Sequence, residues 1–211
     1  MIASNFQDQL KEIFSKKNER WSETNPLMGY PRASVEAARK MSPLPRESAV
    51  MMPLFKRNLV WHTVFMLRPD GNGVHSNQLS FPGGKLEGNE THLQAALRET
   101  FEEVGILHHD ITVCGELTEL FIPPSQFVVK PYVGILPDNP NFVHDIGEVV
   151  RLIEVPVEYF FQEPLISESE IFIPTYNKIM NVKSFQLDDL ILWGATAMMV
   201  QEFRSLFGFE K

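Results

Sequence analysis

The stretch FPGGKLEGNETHLQAALRETFEEVGI, residues 81–106, decides how this chain is read. Thr91 followed by Gln94 is a capping-box pattern, in which each side chain accepts a hydrogen bond from the other residue's backbone N–H. Gly105 stands where a helix ends in the left-handed conformation. Together they predict a helix over 92–104. Leu93, Ala96, Leu97, Thr100, Phe101 and Val104 recur at helical spacing, so this stripe is expected to face the core. Glu99, Glu102 and Glu103 fall off the stripe and crowd together near the carboxyl end, where acidic groups oppose the helix dipole. Each like-charge pair one turn apart costs about 0.2–0.5 kcal/mol in water.

Two readings answer that conflict. The plainer one is a solvated acidic face, since charged side chains ordinarily turn to water. The other is a divalent cation: hard Mg²⁺ or Mn²⁺ prefers carboxylate oxygens and keeps bound waters for chemistry.

Composition narrows the field. The 211 residues give room for one ordinary domain with additional segments, and 44% hydrophobic with 22% charged residues is a globular balance. No apolar run approaches the roughly 20 residues needed to span a bilayer, so no membrane partner is expected. The opening MIASNFQDQLKEIFSKKNER intersperses charge with apolar residues, unlike a secretory signal, and a cytoplasmic location is expected. A lone Cys114 makes no internal disulfide and no cysteine-based zinc site. The histidines lack metal-ligand spacing, and P-loop, nucleophile-elbow and dinucleotide signatures are missing. The net charge of −8 argues against nucleic acid as a partner, because such binding needs basic surface. A phosphate-bearing substrate would have to meet a local positive charge.

Outward from the quoted stretch, SAVMMPL (48–54), LVWHTVFML (59–67), TVCGELTELF (112–121), FVVKPYVGIL (127–136) and VVRLIEVPV (149–157) read as strands by their β-branched and aromatic content. PDGNG (69–73) reads as a hairpin turn. Phe6, Leu10, Ile13 and Phe14 predict an amphipathic helix over 4–16, packed on the domain or serving as the surface of a homodimer. Residues 190–207 predict a last helix, and 163–185 give no pattern. Strands cluster rather than alternate with helices, so the fold class is α+β with a mixed sheet. The expected division is 1–45, a helix and irregular connection, and 46–211, the domain.

The spacing within the quoted stretch goes further. From Gly84 five residues lead to Glu90, and seven more to Arg98-Glu99, followed by Thr100, Phe101, Glu102-Glu103, Val104, Gly105 and Ile106. This arrangement resembles the Nudix box, G-x5-E-x7-R-E-U-x-E-E-x-G-U with U aliphatic, and departs from it only at the polar Thr100. A hydroxyl there can bond back to the helix carbonyl one turn earlier. The resemblance implies an α/β/α sandwich, a mixed sheet with helices on both sides. It implies Mg²⁺ or Mn²⁺ held by Glu99 and Glu103, with Glu102 a further ligand or outer base and the Gly83 carbonyl also available. Arg98 would pair with Glu90 to fix the loop on the helix. Glu102, Arg98, Glu99 and Glu103 are thus the expected catalytic set.

Further segments, HSNQLSFPGGK (75–85), VVKPYVGIL (128–136), EVVRLIEVPVEYF (148–160) and WGATA (193–197), resemble the coenzyme A pyrophosphatase branch of that family over about residues 46–207. Asn77 replaces a glycine common in that branch, and LRPDGNG replaces an Arg-Ser-rich segment. The implied reaction splits coenzyme A or a thioester into 3′,5′-ADP and 4′-phosphopantetheine. The alternatives are another nucleoside diphosphate derivative such as an ADP-sugar, or a ligand-sensing domain without turnover. Arg68, Arg46, Arg39 and Lys40 are candidates for the 3′-phosphate, with Gly84 and Lys85 beside the diphosphate. Phe81, Phe121, Phe127, Tyr132, Met198 and Met199 are candidates for an apolar groove or for core. The general base is open among Glu102, Glu148, Glu163 and Glu168.

Overall fold

The computed structural model describes residues 5–16, 32–70, 77–145, 147–162, 166–173 and 177–208. Its centre is the strand β1 (Arg46–Arg57), whose alternating side chains serve two cores. Ala49, Met51 and Phe55 point to one face of the sheet, and Met52 and Leu54 to the other. Asn58 and Leu59 both hold positive φ, the signature of a two-residue turn, and return the chain as β2 (Val60–Leu67). Then follow β3 (Leu79–Ser80) on β2 and β4 (Gly83–Lys85) on β1.

The helix α3 spans His92–Val104, with the capping box of Thr91 and Gln94 formed at one end and Gly105 at φ 77° at the other. Beyond it β5 (Thr112–Glu116) and β6 (Leu120–Ile122) both pair antiparallel with β7 (Phe127–Ile135). The single run expected over 112–121 is thus broken in two: Leu117 N–H bonds to the Pro131 carbonyl, and the chain then resumes one register further along. β7 runs parallel to β1 and β8 (Arg151–Pro156) pairs with β2, which makes the sheet mixed.

The segment without a readable pattern forms a hairpin, β9 (Ile166–Ile173) with β10 (Lys178–Leu187), whose exposed side chains alternate with only a few buried ones. The expected helix over 190–207 begins late. Leu190–Trp193 is a strand, β11, paired with β10, and Gly194 at φ 67° switches the backbone into α4 (Gly194–Ser205). Apolar β-branched and aromatic residues at 190–193 suit either state, and pairing with β10 decides.

The helix α1 (Phe6–Ser15) seats Phe6 against Trp61 and Phe207, and Leu10 is fully buried. With α4 it covers one face of the sheet, while α3 covers the other. The fold is the expected sandwich. A short helix, α2 (Val35–Ala38), packs on Phe121 and Val128. Among the described residues no helix is long and apolar enough to cross a membrane. The predicted turn at 69–73 lies outside the described residues beyond Asp70.

One part of the expected α3 stripe is corrected. Phe101 is 49% exposed, whereas Glu103 is 3% exposed and shares the buried face with Ala96 and Thr100. At about 100° per residue, positions 96, 100 and 103 share one side while 101 turns away. The apolar count had centred the stripe too far round. Thr100 donates its hydroxyl to the Ala96 carbonyl at 2.6 Å, so its polarity is satisfied within the helix.

Candidate active site

The loop between β4 and α3 is held by one side chain. Arg98 donates to Glu90 at 2.8 and 3.1 Å and to the Lys85 carbonyl at 3.1 Å, pinning the loop to the helix. It also reaches Glu99 at 3.0 Å and Glu102 at 2.8 Å. The guanidinium therefore answers part of the repulsion that the sequence poses, and it holds the Glu90 carboxyl below its ordinary range. Glu102, 49% exposed along its side chain, faces Arg98 and solvent.

Glu99 and Glu103 turn the other way. Glu103 accepts the Gly83 N–H at 2.8 Å and lies 3.5 Å from Arg68. Burial pushes its carboxyl up to about 7, against the pull of Arg68 and the Gly83 N–H, and the charges of Glu99 and Glu148 push the same way. Burial also raises Glu99, opposed by Arg98. The glycines make this approach possible. A Cβ at Gly84 would stand 2.1 Å from Glu99 Oε1, and one at Gly83 would stand 2.3 Å from the Ala49 carbonyl oxygen. Backbone excludes any side chain at Gly83, and one at Gly84 would push the Glu99 carboxylate from its place.

These groups open into a cavity of about 620 Å³. Glu99, Glu103, Glu148, Gly83 and Gly84 line one part, with Arg68 and Lys85. Ile122, Phe127, Val129, Ile173, Trp193 and Met199 form an apolar wall, beside which Arg32 also lines the space.

Donor chemistry supports a hard divalent cation: Glu99, Glu103 and the Gly83 carbonyl are all oxygen donors. The carbonyl and Glu103 already share one cationic neighbour, since Arg68 donates to the Gly83 oxygen at 3.2 Å. Among the described residues no three His, Cys, Asp or Glu side chains are assembled as a metal cage. The fit thus rests on two carboxylates and a backbone oxygen, with Glu102 outside it.

Other expected residues are placed elsewhere. Arg46 stacks on Phe127 at 4.0 Å and donates to the Ser125 carbonyl, closing the start of β1 rather than lining the cavity. Arg39 is spent on Glu47 and Glu119, and Lys40 on Glu36. Glu168 is exposed on β9, and Glu163 lies outside the described residues. Phe81, Phe127 and Met199 line the cavity, while Phe121, Tyr132 and Met198 are core. Arg32, from the Pro-, Arg- and Lys-rich connection, also lines it, as do Ser48 and Ser80, which sequence reasoning missed because isolated hydroxyls carry no periodic signal. Asn77 has φ 54°, a left-handed position that asparagine tolerates better than most residues, so the exchange for glycine keeps the backbone path. Cys114 is half-buried, and burial pushes its thiol up to about 11, away from reactivity.

A model of the NUDIX domain matches residues 45–192. The chain belongs to the Nudix family. This Nudix hydrolase shares a family that acts on diphosphate bonds. An uncharacterized Nudix hydrolase, NudL of Yersinia enterocolitica, is 32% identical over 64% of this chain and 68% of its own length. The peroxisomal coenzyme A diphosphatase NUDT7 of Mus musculus is 31% identical over 58% of this chain. The chain spans about half of that mouse protein, 52% of its length. Among solved structures, the Nudix hydrolase RenU of M. smegmatis superposes with a TM-score of 0.54 at 17% identity, over 78% of this chain and 86% of that one, a likeness of fold.

Proposed function

We propose that this Nudix hydrolase is a Mg²⁺- or Mn²⁺-dependent pyrophosphohydrolase of coenzyme A or its thioesters, releasing 3′,5′-ADP and (acyl-)4′-phosphopantetheine. The observation that carries this reading is the composition of one cavity, which joins buried Glu103 and half-buried Glu99 to an apolar wall containing Trp193, Phe127 and Met199. A diphosphate with a long, weakly polar arm suits such a space, whereas a compact phosphate would leave the wall idle. The mouse relative, named as a coenzyme A diphosphatase, supports the same reading.

Glu99, Glu103 and the Gly83 carbonyl would hold the cation. Bound there, it would neutralise the diphosphate oxygens and lower the pKa of a water. Glu148 is the carboxylate that lines the cavity beside them without being tied to Arg98, which suits it to accept the proton. The water oxygen forms a bond to one phosphorus as its proton passes to Glu148. The bond from that phosphorus to the bridging oxygen breaks, and the other phosphate leaves with the bridging oxygen. Arg68 and Lys85, which line the same cavity, would meet the product charges.

Incubation with Mn²⁺ and a panel of diphosphates, followed by mass spectrometry of products, tests the substrate. Release of 3′,5′-ADP from coenzyme A faster than turnover of ADP-ribose is expected. The reverse ranking overturns the coenzyme A reading in favour of an ADP-sugar.

A further inference from the structure

Arg68 follows β2 and reaches back across the mouth of the catalytic loop. Its Nε donates to Ser80 Oγ at 3.2 Å, one Nη2 contact goes to the Gly83 carbonyl at 3.2 Å, and another lies 3.5 Å from Glu103 Oε1. The side chain is 32% exposed and lines the cavity, so it has both a held position and open space to move into. Two of the three oxygen donors assigned above to the cation are therefore the ones that Arg68 engages. A guanidinium and a divalent ion cannot share them, because like charges at contact distance in a shielded site repel strongly.

From this overlap we infer that Arg68 is an exchangeable counter-ion of the metal site: it neutralises Glu103 and the Gly83 carbonyl until the cation takes them, and then turns its planar fork to the diphosphate. The inference rests on the metal-dependent reading above and adds an order of events to it. The released guanidinium loses two acceptors when the metal binds, and substrate oxygens restore them in bidentate form. Ser80 serves as the pivot, since its contact is to Nε and does not involve the cation's donors. Metal and substrate binding are then coupled through one side chain, and each favours the other.

The test is titration of the full chain with Mn²⁺ alone, followed by calorimetry or water-proton relaxation, for the natural protein, Arg68→Gln and Arg68→Lys. Thermal melts establish that each variant is folded. Arg68→Gln is expected to bind Mn²⁺ at least threefold more tightly than the natural protein, while its KM for the diphosphate rises about tenfold and kcat changes less. Arg68→Lys, which keeps a competing charge, is expected to stay near the natural Mn²⁺ affinity. Equal or weaker Mn²⁺ binding by Arg68→Gln overturns the exchange and leaves the metal-dependent reading standing. Failure of the natural protein to bind Mn²⁺ overturns both.

Discussion

Glu103 on α3 and Glu202 on α4 are buried almost equally, at 3% and 5% exposure, and burial pushes both carboxyls up to about 7. Their surroundings differ. Glu202 accepts the Thr118 N–H at 2.9 and 3.0 Å and the Thr118 hydroxyl at 2.9 Å, and no other charge contributes to its shift. It ties α4 to the turn before β6. Glu103 has one backbone donor, the like charges of Glu99 and Glu148 nearby, and a cavity in front of it. A raised carboxyl is therefore no mark of a site in this molecule. Like-charged company beside open space is.

Replacing the two carboxyls in turn gives the largest expected effect. Glu103→Gln should cut turnover by orders of magnitude with the fold retained, because it removes an anionic oxygen that a cation needs. Glu202→Gln should leave turnover within about twofold, because that side chain only completes packing and hydrogen bonds. Steady-state rates on any accepted diphosphate read this out, and equal losses in both variants would erase the distinction.

Stability against pH sharpens it. Each carboxyl titrates at an ordinary 4.5 when unfolded and at about 7 when folded, so the native state holds the extra protons between those values. Unfolding free energy should then fall as pH rises from 4.5 to 7, by on the order of 3 kcal/mol per group. Urea melts across that range should show the Glu202 share vanish in Glu202→Gln. Mn²⁺ should suppress the Glu103 share alone.

Arg98 provides a smaller effect on the same side of the comparison. Arg98→Lys keeps the charge but loses the fork that spans Glu90, Glu99 and the Lys85 carbonyl. Mn²⁺ affinity should drop roughly 10–100-fold, as for other groups that orient metal ligands, while Glu202 and its contacts are unaffected. Smallest of all, Thr100→Val should shift stability by no more than about 0.5 kcal/mol and leave turnover unchanged, since the buried hydroxyl bonds only within its own helix.

The helix and its glycine loop were legible because capping, periodicity and fixed spacing are local. Thr91, Gln94 and Gly105 act as the sequence predicts, and the central strands follow from dense β-branched runs. The β9–β10 hairpin was not legible, since its apolar residues are broken up irregularly by Ser, Glu, Lys and Asn, and some of them, such as Phe172 and Ile179, are exposed. The shift of α4 by four residues depends on pairing with β10, a contact distant in sequence. Within the site, the crowding of three glutamates pointed to a cation, and the family resemblance named Glu99 and Glu103 as its direct ligands. Neither separated Glu102, which Arg98 draws outward, or showed that Arg46 would be consumed by Phe127 and Ser125.

The central claim is that Glu99, Glu103 and the Gly83 carbonyl form a divalent-cation site. Isothermal calorimetry with Mn²⁺ on the natural protein and on folded Glu103→Gln tests it directly. Saturable uptake by the first and its loss in the second is the predicted result; no uptake by either, or the same uptake by both, would contradict it.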